Sequence, residues 1–492
     1  MCWIGSNILR RAVRSSGRVA GRSESMVLTR KGANSERRSG NTSEAREDMI
    51  AGPVGKTFLR YGVPWALSMV ATGSAAVVDG IFVGRFAGAQ ALAAVNLAAP
   101  IWCLVSGLGF TLVTGGSVLA GRYMGEGRYE EASALCIKIF MTLLALIALT
   151  CGIMYARLED VLIFLGAGDE GELRGLCREY LEIVLLCCPV FPLSYGLSYF
   201  IRVDGRPLLA SAGPGIAAGC NILLDALLVG YAGMGVRGAA LATVLAYLAA
   251  CLALIGHFFS ARSRYIRPRR LGGWKEVLGA AWNGASEFVN EVSTGFIVLL
   301  FNLMLMESMG SNGVAAFTVV AAASLLGMNL LYGIGDSLAP LVSVNRGAKN
   351  FVRMDAFLRA ALITAFGTGF AFFLVLTCFP EALADLFLPG DRETAHIARS
   401  FVLAWRWVFP LAALNMVLAS YFTGRQWAAS SMLVAASRSF VLPLIMLVVL
   451  PRLLGDQGIF YATSAAEGLT LCLAAALFWL GRRRCSSAGR AC

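Results

Sequence analysis

Apolar residues run along the chain in stretches of about twenty, separated by short polar segments. Clear examples are residues 134–156, 236–259 and 360–379. A helix of about 20 apolar residues spans the roughly 30 Å of hydrocarbon in a bilayer. The pattern therefore predicts an all-α integral membrane protein that crosses the bilayer many times.

Basic residues cluster in every second connection between these stretches, and the other connections are acidic or mixed. Segments 262–275 and 346–353 are basic, whereas 159–172 and 381–393 are rich in acids. Because Lys and Arg are enriched in cytoplasmic loops, this alternation predicts that both termini are cytoplasmic and that there are twelve transmembrane helices. By the same pattern, Arg202 and Arg438 belong to cytoplasmic loops.

The two halves of the chain resemble each other at a shift of 222 residues, or 220 near their ends. Matched pairs are Gly88 with Gly310, Gly125 with Gly347, Tyr199 with Tyr421, and Gly235 with Gly455. With an even number of spans in each half, the repeats are parallel. They predict two six-helix lobes related by pseudo-two-fold symmetry, an arrangement typical of secondary transporters that rock around a site between their halves.

This organisation predicts five segments. They are a basic, disordered cytoplasmic tail (1–52), an N-lobe (53–259), a basic cytoplasmic linker (260–275), a C-lobe (276–481) and a cytoplasmic tail (482–492). A basic tail of this kind is attracted to anionic lipid.

Composition agrees with a membrane protein and excludes several other classes. The chain is 57% apolar and 15% charged, compared with about 45–50% and 25% in soluble proteins. Its net charge of +12 is spread over loops, which predicts no nucleic-acid partner. Thirteen cysteines without a C-x-x-C pair, and only two histidines, argue against redox or zinc chemistry.

The chemistry is expected around Asp79, which lies at the end of the first apolar stretch. A charge at membrane depth costs at least about 2.5 kcal/mol, and acids kept there usually line ion pathways. Asn221 and Asp225 are one helical turn apart, and topology brings them and Thr243 to the depth of Asp79. These oxygen ligands suit Na⁺, and the two acids could instead carry a proton. The alternative is an interfacial Asp79 paired with Arg85.

The internal repeat acts as a control for these acids. Asp79 corresponds to Phe301, and Asp225 corresponds to a position within 445–447. The scaffold therefore does not require either acid, which favours the ion-site hypothesis. On the C-lobe side, Glu287 and Glu291 are one turn apart. With Asn302, they are predicted to line the substrate pathway, although a hydrated helix end would also explain the two glutamates.

Over residues 53–481 the chain resembles the prokaryotic branch of the multidrug and toxic compound extrusion (MATE) family. The resemblance rests on Pro64 with the segment 78–84, on Asn221-x-x-x-Asp225 followed by the segment 233–243, and on the segment 340–350. One departure is the segment 336–339, where the family pattern leads us to expect Gln near Ala339.

The resemblance implies twelve helices in two lobes and cation-coupled efflux of amphipathic organic cations. It also implies an N-lobe cation site at Asp79, Asn221, Asp225 and Thr243, and a bend of the first helix at Pro64. A proline within a span removes a backbone hydrogen bond and permits such a bend.

The sequence therefore predicts a multidrug exporter of the cell membrane that works by antiport with H⁺ or Na⁺. It is expected to be a monomer, without enzymatic activity, cofactor or ATP site. One alternative is a lipid-linked oligosaccharide flippase of similar architecture, which would need arginines in its cleft; the apolar stretches contain almost none. An integral-membrane enzyme is the other alternative, and it would need a nucleophile with a base or metal ligands.

Overall fold

The computed structural model describes residues 49–168, 171–387 and 391–487. Within these ranges the chain is almost entirely helical and contains no β-strand, which confirms the all-α architecture. Most of the predicted N-terminal tail (1–48), and residues 488–492 of the C-terminal one, lie outside the described residues.

The N-terminal half contains nine α-helices among the described residues. They are α1 (Val54–Phe82), α2 (Ala89–Leu97), α3 (Ala99–Gly125), α4 (Tyr129–Ala156), α5 (Leu158–Phe164), α6 (Glu172–Cys187), α7 (Val190–Val203), α8 (Pro207–Asp225) and α9 (Gly235–Phe259). Two π-helical turns, Val83–Ala87 and Ala226–Tyr231, directly continue α1 and α8.

The C-terminal half begins with a long helix that is broken inside the bundle. Its helices are α10 (Lys275–Asp336), α11 (Leu338–Gly347), α12 (Phe351–Cys378), α13 (Pro380–Phe387), α14 (Arg392–Trp405), α15 (Val408–Gly424), α16 (Ala428–Ala436), α17 (Leu442–Leu454) and α18 (Gly458–Ser487). A π-helical turn, Ser437–Val441, joins α16 to α17, and a 3₁₀ turn, Gly455–Gln457, joins α17 to α18. The last helix runs beyond residue 481, where the sequence places the start of a tail.

Nine helical stretches of the described chain are long and apolar enough to cross a membrane, and α6 with α7, bent by 42°, would make a tenth. Two of the nine, 275–347 and 428–483, contain 73 and 56 residues, far more than the about 20 that one crossing needs. Each is interrupted by a glycine in the left-handed region, Gly310 in the first and Gly455 in the second. Dividing both stretches there would give the twelve crossings that the sequence predicts.

The internal repeat is visible in the backbone conformation. Three pairs of residues with positive φ recur at the shift of the repeat: Gly88 and Gly310 (93° and 63°), Gly127 and Lys349 (80° and 56°), and Gly235 and Gly455 (57° and 67°). Positive φ is uncommon outside glycine and is used where the chain must turn sharply. The two halves therefore turn at equivalent positions.

The lobes touch through glycines that bring helix backbones together. A Cβ atom at Gly125 would overlap the carbonyl oxygen of Val344, and a Cβ atom at Gly347 would overlap that of Arg122. Because Val344 is the repeat counterpart of Arg122, these two contacts are a symmetric pair. The pseudo-two-fold axis thus passes between α3 and α11, at the end of the bundle that the sequence places in the cytoplasm.

Polar contacts fasten the lobes at the same end. Lys138 of α4 is buried, and its Nζ donates to Glu276 Oε2 of α10 at 2.7 Å. The hydroxyl of Tyr123 donates to the other carboxylate oxygen of Glu276 at 2.9 Å. One acid of the C-lobe therefore joins two helices of the N-lobe.

Residues 49–52, which the sequence assigns to the disordered tail, are packed against the C-lobe. Met49 is fully buried, and its carbonyl oxygen accepts hydrogen bonds from Asn345 Nδ2 at 3.1 Å and Arg353 Nε at 2.9 Å. The tail prediction is therefore wrong for this short segment. The reason is that donors from helices α11 and α12, distant in sequence, satisfy its backbone.

We expect Gly125→Val to lower the thermal unfolding temperature of the purified protein in detergent. The new side chain would push α3 away from α11, and overpacking of this kind costs about 1–3 kcal/mol. Gly152→Val is the matched control because Gly152 lies in a transmembrane helix with no atom near its would-be Cβ. Equal unfolding temperatures for the two variants would contradict the close-contact interpretation.

Candidate functional site

Asp79, Asn221 and Thr243 lie on the wall of one cavity of about 370 Å³ inside the N-lobe. They come from α1, α8 and α9, and α8 packs against both of the other helices. The fourth predicted residue, Asp225, is fully buried behind this wall and interacts directly with Asp79. The structure therefore brings all four predicted cation-coupling residues to one place.

Within the described ranges, the carboxyl groups of Asp79 and Asp225 interact mainly with each other. One can hydrogen bond to the other when it carries a proton. Otherwise Oδ1 of Asp79 and both oxygens of Asp225 have no donor among the described residues, and Nδ2 of Asn221 has no acceptor. Arg85, the alternative partner predicted for Asp79, makes no ion pair with it among the described residues. The guanidinium of Arg85 lies 5.9 Å from the ring centroid of Phe86. Carboxylate, amide and hydroxyl oxygens so arranged can hold a proton or Na⁺.

The local backbone helps to place both acids. Asp79 lies in the last turn of α1 and Asp225 is the last residue of α8, and a π-helical turn follows each helix. Such turns open the regular hydrogen-bond ladder and are frequent at functional sites. The third π-helical turn in the described chain, Ser437–Val441, carries another charged residue, Arg438.

Aromatic side chains line part of the N-lobe cavity. Trp102 Nε1 donates to the hydroxyl of Tyr180 at 3.3 Å. Phe191 packs edge-on against Trp102 and Tyr247, with ring centroids 5.5 and 4.9 Å apart. Since aromatic faces attract cations, the cavity combines an acid with surfaces suited to an organic cation.

The C-lobe has an aromatic cluster at the position equivalent to Asp79. Phe301, the counterpart of Asp79, is buried and stacks on Phe317 with centroids 5.3 Å apart. Trp405 packs edge-on against it at 5.9 Å. The carboxylate pair is thus a feature of the N-lobe alone.

A second, smaller cavity of about 70 Å³ lies between the lobes. Glu287 lines it together with Asp336, whose Oδ2 accepts a hydrogen bond from the hydroxyl of Tyr199 at 2.8 Å. Glu291, one turn further along α10, faces Gly107 of α3. Asn302 is partly buried on the same helix and lines neither of these two cavities.

The assignment of Arg202 and Arg438 to cytoplasmic loops is wrong, because both side chains line the cavity between the lobes. Arg202 is buried, and its guanidinium lies 4.0 Å from the ring centroid of Trp65 and 4.4 Å from that of Tyr199. Arg438 Nε forms an ion pair of 2.7 Å with Glu467 of α18. Aromatic faces and a buried acid compensate these charges, which allows basic residues near helix ends to turn inward.

Asp336 and Glu467 are functional candidates that sequence reasoning missed. Each is an isolated acid in an apolar run, which is the signal that singled out Asp79, so the same search would have found both. Glu467 is buried and also accepts a hydrogen bond from Asn415 Nδ2 at 2.7 Å. Pro64 lies inside α1, which continues as a helix on both sides of it.

No group of three or more His, Cys, Asp or Glu side chains within the described ranges is arranged to hold a metal ion. The two histidines lie apart. His257 Nε2 is 2.7 Å from Asp204 Oδ2, at the end of the N-lobe that is predicted to be cytoplasmic.

Known proteins resemble this chain along most of its length. A multidrug export protein, MepA, from Staphylococcus aureus (strain MSSA476) is 22% identical over 444 residues, which cover 88% of this chain and 95% of that protein. A multidrug resistance MATE transporter solved in an outward-facing conformation superposes with a TM-score of 0.81 at 22% identity, over 89% of this chain and 98% of that one. A MOP superfamily transporter from Pyrococcus furiosus gives a TM-score of 0.81 at 21% identity, over 90% and 98%.

The family model MatE matches the chain twice, at residues 64–227 and 288–449. One match falls within each lobe, as the internal repeat requires. The chain therefore belongs to the MatE family, the multidrug and toxic compound extrusion transporters that its motifs resemble.

Proposed function

We propose that this protein is a secondary active multidrug transporter that exports amphipathic organic cations in exchange for H⁺ or Na⁺. The observation that carries the proposal is the contact between the half-buried Asp79 and the fully buried Asp225 beside a cavity lined in part by aromatic side chains; three of their four carboxylate oxygens have no donor among the described residues. It works as a monomer in the cell membrane, with both termini in the cytoplasm. It has no enzymatic activity and needs no cofactor other than the coupling ion.

The coupling ion acts at the carboxylate pair. Two adjacent acids at membrane depth, with no ion-pair partner among the described residues, are costly while both are ionised. A proton shared between Asp79 and Asp225, or a Na⁺ ion that also binds Asn221 and Thr243, removes that cost. The ion therefore binds where the protein itself supplies no compensation.

The organic cation competes for the same charge. Its cavity of about 370 Å³ falls within the roughly 300–1,000 Å³ of small-molecule sites. Asp79 belongs both to the wall of this cavity and to the carboxylate pair. An ion that neutralises Asp79 weakens the attraction for the drug, so ion entry and drug release are linked. Competition for one acid is sufficient to make the exchange an antiport.

The cavity between the lobes gives the drug a second polar surface. Glu287 and Asp336 line it with Arg202 and Arg438, and Glu467 neutralises Arg438. The acids of this cluster outnumber its arginines, which favours cationic over anionic substrates. Rocking of the two lobes against each other would expose the pathway to one side of the membrane at a time.

A flippase for an anionic, lipid-linked substrate is the second candidate. It is favoured by Arg202 and Arg438, since arginine binds phosphate well. The Pyrococcus furiosus transporter is described as having a binding pocket of reverse polarity, which suggests a different function for that protein. Here, however, Arg202 is covered by two aromatic rings and Arg438 is held by Glu467.

We expect Asp79→Asn and Asp225→Asn each to reduce gradient-driven ethidium efflux from proteoliposomes by about tenfold or more, because couplings between sites reach about 1–3 kcal/mol. Asp160→Asn is the matched control because its side chain is 64% exposed and paired with Arg157. Gel filtration checks that the three variants fold alike. Undiminished efflux by Asp79→Asn would overturn the ion-site assignment.

The nature of the energy source gives a separate prediction. A gradient of H⁺ or of Na⁺, imposed alone across the proteoliposome membrane, should drive ethidium transport, and Asp79→Asn should remove the response to either. Adding ATP without a gradient should have no effect. Transport that depends on ATP, or that ignores both gradients, would exclude antiport.

Variants in the cavity between the lobes distinguish the two candidate substrates, an organic cation and a lipid-linked anion. Glu287→Gln should raise the KM for ethidium several-fold, because a negative charge is lost from the pathway. Arg202→Gln should leave the translocation of a fluorescent lipid pyrophosphate at background level, as in the unaltered protein. Pyrophosphate-lipid translocation that requires Arg202 would favour the flippase instead.

A further inference from the structure

A cavity of about 450 Å³ lies at the end of the N-lobe predicted to face the cytoplasm. It is formed where the first turns of α1 and α8 meet the end of α9. Its polar lining consists of Arg60, Arg206, His257, Ser260 and Arg262. This cavity shares no lining residue with the Asp79 cavity or with the cavity between the lobes.

The charge of the cavity is positive. Three arginines line it, and none of its lining residues is an acid. The nearby carboxylate of Asp204 is already engaged by His257 at 2.7 Å and by Arg264 Nε at 2.9 Å. Arg206 Nε is buried without an acceptor among the described residues. A buried guanidinium donor with no acceptor indicates that something from outside the chain completes the site.

The backbone adds to the attraction for an anion. Helix α8 begins at Pro207, and its first residues, Pro207, Leu208 and Leu209, line the cavity. The first N–H groups of a helix have no partner within it, and the helix dipole places positive charge at this end. A phosphate group is bound well in such a position, particularly beside arginines.

The rim of the cavity includes exposed apolar side chains. Leu208 is 65% exposed, and on the adjoining helix Leu252 and Phe259 are 68% and 82% exposed. In a protein that spans the bilayer, such side chains contact lipid chains rather than water. A ligand at this place can therefore put a phosphate among the arginines and hydrocarbon along the rim.

We propose that this cavity binds the phosphate group of an anionic phospholipid from the cytoplasmic leaflet. Basic pockets between helices on this side of a membrane bind acidic headgroups. A free phosphate ester shares the headgroup chemistry, but the apolar rim selects the lipid. The proposal does not depend on the coupling ion or on the transported substrate, since the residues involved are separate.

Native mass spectrometry of the full-length protein in detergent tests the proposal. The protein is titrated with dioleoylphosphatidylglycerol, dioleoylphosphatidylcholine or glycerol 3-phosphate. We expect tight retention of one phosphatidylglycerol and weaker retention of phosphatidylcholine. Arg206→Gln with Arg262→Gln should weaken phosphatidylglycerol binding by about tenfold or more, since each arginine near an anionic headgroup contributes about a fivefold factor.

Two further variants control for charge and folding. Arg267→Gln with Arg270→Gln removes the same charge from exposed positions of the segment that contains Arg262, and this variant should bind as the unaltered protein does. Arg206→Lys with Arg262→Lys keeps the charge and should retain most of the binding. Equal losses in both glutamine variants, or equal retention of the two lipids, would overturn the site. Displacement of the lipid by glycerol 3-phosphate at similar concentration would overturn its assignment to lipid.

Discussion

A carboxylate held inside the bilayer without a protein donor must obtain its compensation from something that arrives from outside. This constraint applies to Asp79 and Asp225, and it explains the features that surround them. Two π-helical turns open the backbone beside the acids, an amide and a hydroxyl stand at the same depth, and aromatic rings enclose the adjoining space. In the C-lobe, Phe301 occupies the position of Asp79 and packs in an aromatic cluster, so the scaffold folds without the acid. Because the fold does not require an acid at this position, the cost of holding two acids in the N-lobe supports the proposed ion site.

The contact between the lobes obeys a second constraint, which is symmetry. Gly125 and Gly347 occupy equivalent positions of the repeat that have no room for a side chain. The backbones of α3 and α11 can therefore approach each other closely at both positions. Small residues allow this close packing in membranes, where burial of apolar surface gives little driving force. The ion pair of Lys138 with Glu276 fastens the same end. Opening the lobes at this end must break the glycine contacts and the ion pair together, which favours two discrete states over a continuum.

The sequence was sufficient to predict the helical class and the repeat, because each depends on local hydrophobicity or on a comparison of the chain with itself. It was insufficient for Arg202 and Arg438. The loop-charge pattern places basic residues near helix ends in the cytoplasm, whereas the groups that hold these two inside, Trp65 and Glu467, come from distant spans. Asp336 and Glu467 were within reach of the sequence, since both are isolated acids in apolar runs. Hydropathy indicates how deep a side chain lies in the membrane, but not which spans pack together. Contacts between side chains of different spans therefore cannot be predicted from it.

Helix α1 connects the basic cavity, the contact between the lobes and the ion site. Arg60 lines the basic cavity, Trp65 packs on Arg202 between the lobes, and Asp79 is one member of the carboxylate pair. Pro64 lies between the first two of these residues, and it lacks the N–H that would donate a hydrogen bond one turn back within the helix. A bend there would move Asp79 and Trp65 together while Arg60 stays with the helix start. In the proposed mechanism, neutralising Asp79 lowers the cost of such a movement, because an uncharged side chain can change its surroundings inside the bilayer far more cheaply than a charged one. The same helix would then carry the signal from the ion site to the contact between the lobes.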